Sequence, residues 1–230
     1  MVVPRAAQQA GALSVLLRAA GIEAVEVPVI AIEEALDGGA ALAAAVRDGR
    51  YDWVVVTSTN AARRIPVSGL SGAKVAAVGP GTAEVLRSSG LAVDLVPARN
   101  VAEGLLEEMP DGPGRVLLPQ GERARPVLAE GLRSKGWEVD AVVAYRTLPV
   151  APSRELLAVA RGADGIAFTS ASTVTSYIAA AGVDAVPGAV VCIGPVTAEA
   201  AADAGLSVAA VAEPHTLEGL VAAVKAAIGS

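Results

Sequence analysis

Aromatic side chains make up only 3% of this 230-residue chain, and it holds one cysteine and one histidine. With so few rings, the 53% hydrophobic content must come mostly from Ala, Val and Leu, so the core has to be built from small and β-branched side chains. Buried parallel strands alternating with helices satisfy that requirement. A single cysteine excludes an internal disulfide and is consistent with the cytoplasm. Cys192 lies in the apolar run 189–193 and reads as a small buried hydrophobe rather than a nucleophile. His215 alone cannot build a histidine-based metal site or a Ser-His-Asp triad, and it reads as a polar residue just before a helix. Long apolar runs are also missing. The longest uncharged stretch, Gly165 to Val183, carries Thr169, Ser170, Ser172, Thr173, Thr175 and Ser176, which argues against a membrane span. Met1 to Arg5 shows no cationic stretch leading into an apolar core, so no secretory signal is expected. A net charge of −6 argues against nonspecific nucleic-acid binding.

What the chain does have is an internal repeat at an offset of 115 residues, half its length. Val78 to Val93 (VGPGTAEVLRSSGLAV) and Ile193 to Val208 (IGPVTAEAAADAGLSV) are identical at eight of sixteen positions. The same offset matches Pro4/Pro119, Leu13/Leu128, Leu17/Leu132, Arg18/Arg133, Gly21/Gly136, Glu23/Glu138, Glu103/Glu218 and Leu105/Leu220. At an offset of 112, Asp52, Thr57 and Ser58 match Asp164, Thr169 and Ser170. Chance in an Ala-rich chain explains one such segment, not three in the same order.

Each half alternates short apolar runs with helix-length segments. Strands are predicted at 53–56, 74–78 and 93–96, and again near 115–118, 139–144, 165–168, 189–193 and 207–211. Helices are predicted over 8–20, 60–65 and 81–89, then near 122–135, 153–161, 172–181, 197–204 and 216–227. Regular alternation of this kind predicts an α/β fold of two similar lobes, each a parallel sheet flanked by helices, with a cleft between them.

In open α/β sheets ligands bind beyond the carboxyl ends of the strands. Here those ends run into Thr57-Ser58-Thr59-Asn60, Thr169-Ser170-Ala171-Ser172, Gly79-Pro80-Gly81-Thr82 and Gly194-Pro195-Val196-Thr197. Glycine admits a ligand to the backbone, proline suits the first helical turn, and free N–H groups there attract anions. Ser and Thr at these positions also serve as ordinary helix caps. Four such turns in two pairs suit a ligand with several separated negative groups. None is a Walker loop or a dinucleotide fingerprint. Arg5, after the first strand, and Arg125, expected to open a helix after Gly121-Glu122, stand at comparable places.

In this order these residues resemble the uroporphyrinogen-III synthases over nearly the whole chain. The likeness rests on Val2-Val3-Pro4-Arg5, Asp52 with Thr57-Ser58-Thr59-Asn60-Ala61, and Val78-Gly79-Pro80-Gly81-Thr82-Ala83. It continues through Gly121, Arg125, Gly136, Val139, Tyr145-Arg146-Thr147, Phe168-Thr169-Ser170-Ala171-Ser172 and Ile193-Gly194-Pro195-Val196-Thr197-Ala198. A first strand of only about three residues departs from the family pattern. The resemblance implies one lobe from residues 1–30 plus 149–230, a second from 35–144, and connectors at 29–34 and 144–150. It implies a cofactor-free cytoplasmic monomer acting on hydroxymethylbilane, a carboxylate-rich linear tetrapyrrole. The terminal hydroxyl leaves as water, the last pyrrole ring inverts and the macrocycle closes. Substrate contacts would fall to Arg5, Ser58, Thr59, Asn60, Gly79, Thr82, Gly121, Arg125, Ser170, Ala171, Ser172, Gly194 and Thr197. Tyr145 would assist departure of the hydroxyl by hydrogen bonding. A catalytically silent tetrapyrrole-binding sensor would carry the same turns.

Overall fold

The computed structural model describes residues 1–48, 50–70 and 72–229. The chain runs through β1 (Val2–Val3), α1 (Ala7–Ala19), β2 (Val25–Glu26), β3 (Ile30–Glu34) and α2 (Ala40–Asp48). Next come β4 (Trp53–Val56), α3 (Thr59–Ala62), β5 (Lys74–Ala77), α4 (Pro80–Ser88) and α5 (Ala102–Glu108). These lead into β6 (Gly114–Gly121), α6 (Val127–Ser134) and β7 (Trp137–Pro149). The last stretch holds α7 (Arg154–Arg161), β8 (Gly165–Phe168), α8 (Ala171–Ala181), β9 (Ala189–Cys192), α9 (Pro195–Asp203), β10 (Val208–Val211) and α10 (Leu217–Ile228). Two compact units result, one from Met1–Ala31 with Leu148–Ser230 and the other Ile32–Thr147. Both crossings of the chain fall inside strands, β3 and β7.

In the first unit the sheet order is β10-β9-β8-β1-β2. Every described pairing in it is parallel, with Val2 opposite Ile166 and Ile166 opposite Val190. Leu13 and Leu17 of α1 and Leu220 and Val224 of α10 bury against Val3, Ala167 and Val191. Alternation along β8 sends Phe168 to the other face, where its ring meets Tyr177 of α8 edge-on at 6.2 Å. Cys192 is fully buried, and burial pushes its thiol up to about 11. It is a packing residue, not a nucleophile.

The sheet of the second unit has the order β3-β7-β6-β4-β5. Strand β4 shows why its run of Trp and Val is buried throughout. Val54 and Val56 face Leu42, Val46 and Leu86, while Trp53 and Val55 face Leu105, Met109, Leu128 and Leu132. Helices therefore cover both faces, and each fully buried Val or Leu contributes about 1.5–3 kcal/mol.

The repeat reappears as backbone geometry. Gly21 and Gly136 follow α1 and α6, Gly90 and Gly205 follow α4 and α9, and all four have φ between 80 and 91°. Only glycine takes that left-handed turn without strain.

Several sequence expectations need correction. Residues 93–96 form no strand; only Leu95 makes an isolated bridge, to Ala76. The helix expected over 60–65 is the single turn α3, and that expected over 122–135 begins at Val127. Strand β6 runs on through Gly121, and Pro126 stands at the N-cap of α6. Helices α2 and α5 were not expected: alanine-rich Ala40–Asp48 shows little periodicity, and Ala102–Glu108 is only seven residues long.

Near the amino ends of β4, β6 and β7 the Tyr51 hydroxyl donates to Asp140 Oδ2 at 2.8 Å. Arg115 bridges to the same oxygen at 2.7 Å and lies 5.1 Å from the Tyr51 ring centroid. Burial, then the bond to Asp140, pushes the Tyr51 phenol up to about 12. A raised phenol favours the folded state below its ordinary value of about 10 and withdraws that support as pH rises toward 12. Denaturant midpoints should therefore fall between pH 9 and 11.5, and Tyr51→Phe should show a smaller fall. Equal falls in both proteins would show that Tyr51 is not the titrating group.

Candidate active site

Strand order directs attention to one place in each sheet. From β4 the chain winds outward through α3 to β5, and from β6 it winds the other way through α6 to β7. The crevice beyond the carboxyl ends of β4 and β6 is thus a topological switch point, the usual ligand position in such sheets. In the other unit the switch lies between β1 and β8, because β1 leads to β2 on one side and β8 to β9 and β10 on the other.

At the β4/β6 switch, Val54 pairs with Leu117; Ser58 follows the carboxyl end of β4, and Gly121 ends β6. Gly121 pairs in turn with Tyr145 of β7, and Glu122 N–H donates to the Tyr145 carbonyl at 2.9 Å. A methyl group built on Gly121 would stand 3.0 Å from Tyr145 Cζ and 3.1 Å from the phenol oxygen. The hydroxyl end of the ring therefore lies against a residue whose missing side chain makes room for it. Arg64 completes the cluster. Its Nη1 donates to the Asn60 carbonyl at 3.0 Å and its guanidinium carbon lies 5.8 Å from the Tyr145 ring centroid. Ser58, Thr59, Asn60, Gly121 and Tyr145 all stay partly exposed.

At the β1/β8 switch, Arg5 follows β1 and Ser170-Ala171-Ser172 opens α8. Ser170 Oγ accepts from Thr173 N–H at 3.3 Å and lies 3.0 Å from Ser172 Oγ. Ser58 Oγ similarly accepts from Ala61 N–H at 3.1 Å. Both hydroxyls thus cap their helices, and the remaining first-turn N–H groups are the ones oriented for an anion. Ser170→Ala should cost about 1 kcal/mol of stability while changing product affinity by less than about threefold. Thermal melting and product-inhibition constants check this, and a large affinity loss at unchanged melting temperature would make the hydroxyl itself the contact.

One strand further out, Gly79 and Gly194 are N-caps with extended backbones and are themselves buried. A methyl on Gly79 would meet Asn100 Cβ at 3.3 Å, and one on Gly194 would meet His215 Cγ at 3.5 Å. Asn100 and His215 are related by the offset of 115 and sit in matching three-residue turns. Val101 N–H bonds the Arg99 carbonyl and Thr216 N–H the Pro214 carbonyl, each at 2.8 Å. Sequence reasoning passed over Asn100, and over His215 except as a residue before a helix, because the repeat marks identities and these two differ. Thr82 and Thr197 are buried in the first turns of α4 and α9. Arg125 does not open a helix: it is exposed ahead of α6 and pairs with Glu103 at 3.5 Å. Among the described residues no three His, Cys, Asp or Glu side chains gather as a metal site, and no helix is long and apolar enough to cross a membrane.

The family profile described as uroporphyrinogen-III synthase HemD matches residues 11–222. The chain belongs to the uroporphyrinogen-III synthase family. It is 30% identical to the uroporphyrinogen-III synthase of Synechococcus elongatus, over 96% of this chain and 92% of that protein. With the chloroplastic uroporphyrinogen-III synthase of Oryza sativa it shares 29% identity over 90% of this chain and 73% of the relative. Its fold is similar to a crystal structure of a mutant uroporphyrinogen III synthase from Thermus thermophilus, with a TM-score of 0.69 at 21% identity. That likeness covers 99% of this chain and 98% of the other. The Helicobacter pylori uroporphyrinogen-III synthetase structure gives 0.59 at 15% identity, over 90% and 93% of the two chains. Members of this family are cyclising lyases of tetrapyrrole biosynthesis, and the substrate is a tetrapyrrole.

Proposed function

We propose that this chain is a uroporphyrinogen-III synthase whose substrate is hydroxymethylbilane, with Tyr145 as the donor to the departing hydroxyl. The observation that carries the reading is the phenol lying over Gly121 at a switch point, in a chain matched to the family over residues 11–222. Loss of the terminal hydroxyl breaks a C–O bond and leaves a cation stabilised by the adjacent pyrrole. The last ring attacks that cation through its already substituted α-carbon, the bond from that carbon to the neighbouring methylene bridge breaks, and the bridge rejoins the ring at its free α-carbon with loss of a proton, so that the ring ends inverted. Hydroxide is a poor leaving group, and a hydrogen bond from Tyr145 stabilises it as the bond breaks; the proton lost at ring closure balances it, so that the net loss is water.

Carboxylate binding falls to the turns of both units. Ser58, Thr59, Asn60 and Gly121 serve in one unit, and Arg5, Ser170, Ala171 and Ser172 in the other. Gly79 and Gly194 contribute through turns that Asn100 and His215 overlie. The net charge of −6 is compatible with a polyanionic substrate because helix N-termini attract anions through backbone dipoles. Arg125, held by Glu103, is the weakest of the candidates. We assign the reaction to a monomer in the cytoplasm, which fits a single buried thiol; sedimentation of the active protein checks the monomer.

Incubation with freshly generated hydroxymethylbilane, followed by separation of type I from type III product, tests the reading. Type III product above the spontaneous type I background is expected. Tight product binding without turnover would instead mark a silent tetrapyrrole-binding protein.

A further inference from the structure

Arginine 64 stands outside every motif that pointed to the family. It follows α3 in the turn after Thr57-Ser58-Thr59-Asn60, beside an Arg63 that is exposed where Arg64 is half-buried. The offset of 112 that matches Ser58 with Ser170 sets Ser176 at the position of Arg64, so the repeat does not explain this cation. Its surroundings are unusual for a surface arginine. Nε is shielded from solvent and has no hydrogen-bond partner. Nη1 is spent on the Asn60 carbonyl at 3.0 Å, inside the candidate turn. The guanidinium stands over the Tyr145 ring, 5.8 Å from its centroid, the range in which a cation is attracted by the electron-rich face of an aromatic ring. Shielding a guanidinium nitrogen without a partner is unfavourable, and the aromatic face is what offsets it.

We propose that Arg64 is a positioning residue for Tyr145, holding the phenol over Gly121 so that its hydroxyl meets the departing oxygen. The inference rests on the reading of Tyr145 as the donor. Two neighbours meet the ring: Gly121, where an added Cβ would stand 3.0–3.2 Å from the phenol end, and the guanidinium. Strand β7 fixes where Tyr145 starts, but not its side-chain torsions, and a phenol at the rim of a sheet samples other rotamers unless a neighbour holds it. Asn60 links the device to the turn, because the same arginine ties the α3 backbone to the ring.

Arg64→Gln, Arg64→Lys, Tyr145→Phe and the double variant Arg64→Gln/Tyr145→Phe, all in the full chain, test this. Turnover to type III product, KM and melting temperature are the readouts. Arg64→Gln is expected to lower kcat about tenfold, with KM within about twofold and melting temperature nearly unchanged. Arg64→Lys, which keeps charge and stem but not the planar fork, should recover part of that loss. If Arg64 acts through the phenol, the double variant is no slower than Tyr145→Phe alone. Multiplying losses in the double variant overturn the inference. So does a raised KM at unchanged kcat, which would make Arg64 a direct carboxylate contact. A loss that tracks falling melting temperature in both Arg64 variants also overturns it. Normal turnover in Arg64→Gln beside a slow Tyr145→Phe sinks the positioning role alone, whereas normal turnover in Tyr145→Phe removes the donor reading as well.

Discussion

Tyr145→Phe should lower turnover by between about tenfold and a hundredfold, with a much smaller change in apparent substrate affinity. General acid assistance contributes about 10²–10⁴-fold, and a phenol is a weak donor that falls at or below the lower end. Phenylalanine keeps the contact with Gly121 and the ring face beneath Arg64, so packing is preserved and only the hydroxyl is lost. A residue that merely fills space predicts near-normal activity, while a donor predicts loss concentrated in kcat. Steady-state assays scored for type III product, with melting temperature as the control, separate these outcomes. Wild-type turnover would return Tyr145 to the packing against which it rests, together with Val54, Val56 and Leu117.

Gly219→Ala should be severely damaging to stability, costing about 3 kcal/mol, the upper end of overpacking. A Cβ on Gly219 collides with the Pro214 carbonyl oxygen and reaches its carbon at 3.1 Å, and a backbone obstacle cannot swing aside as a side chain can. Pro214, His215 and Thr216 form the turn that overlies Gly194, with Thr216 capping α10 through Gly219 N–H. Surviving protein should therefore also bind product more weakly. Gly11→Ala is the counterpart control. It lies within α1 with nothing inside 4 Å of the added carbon and should stabilise by about 0.5–1 kcal/mol. Urea unfolding of both variants decides the matter, and similar stabilities would show that the Pro214 turn yields easily.

Gly104 is the repeat partner of Gly219, and a Cβ there collides with the Arg99 carbonyl oxygen. This pair shows how far the sequence could be read. Glu103/Glu218 and Leu105/Leu220 announced that two stretches are copies, but not that the glycines between them are required by a close approach. Elements with a strong local pattern were legible: Trp53–Val56, Gly165–Phe168 and the helices over 80–88 and 195–203 lie within a residue or two of where periodicity and Gly-Pro punctuation put them. The stretch 93–96 was not, because β-branched content favours a strand while only a neighbour with matching free backbone groups makes one. Asp94 and Leu95 do bond the β5 backbone, through Val75 and Ala77, but the pairing stops at the single Leu95–Ala76 bridge.

The sequence by itself determined the alternation of strands and helices, the duplication, the α/β class and the chemistry at the strand ends, because each is written in residues near one another. The tertiary structure alone decided that Val2 pairs with Ile166, that Gly121 falls opposite Tyr145, and that Asn100 and His215 cover the two Gly-Pro turns. It also decided that Arg64 lies over Tyr145. These are long-range contacts, set by parallel register and by which sheet a strand enters. Side-chain periodicity says which face of a strand is buried but not which distant strand lies beside it.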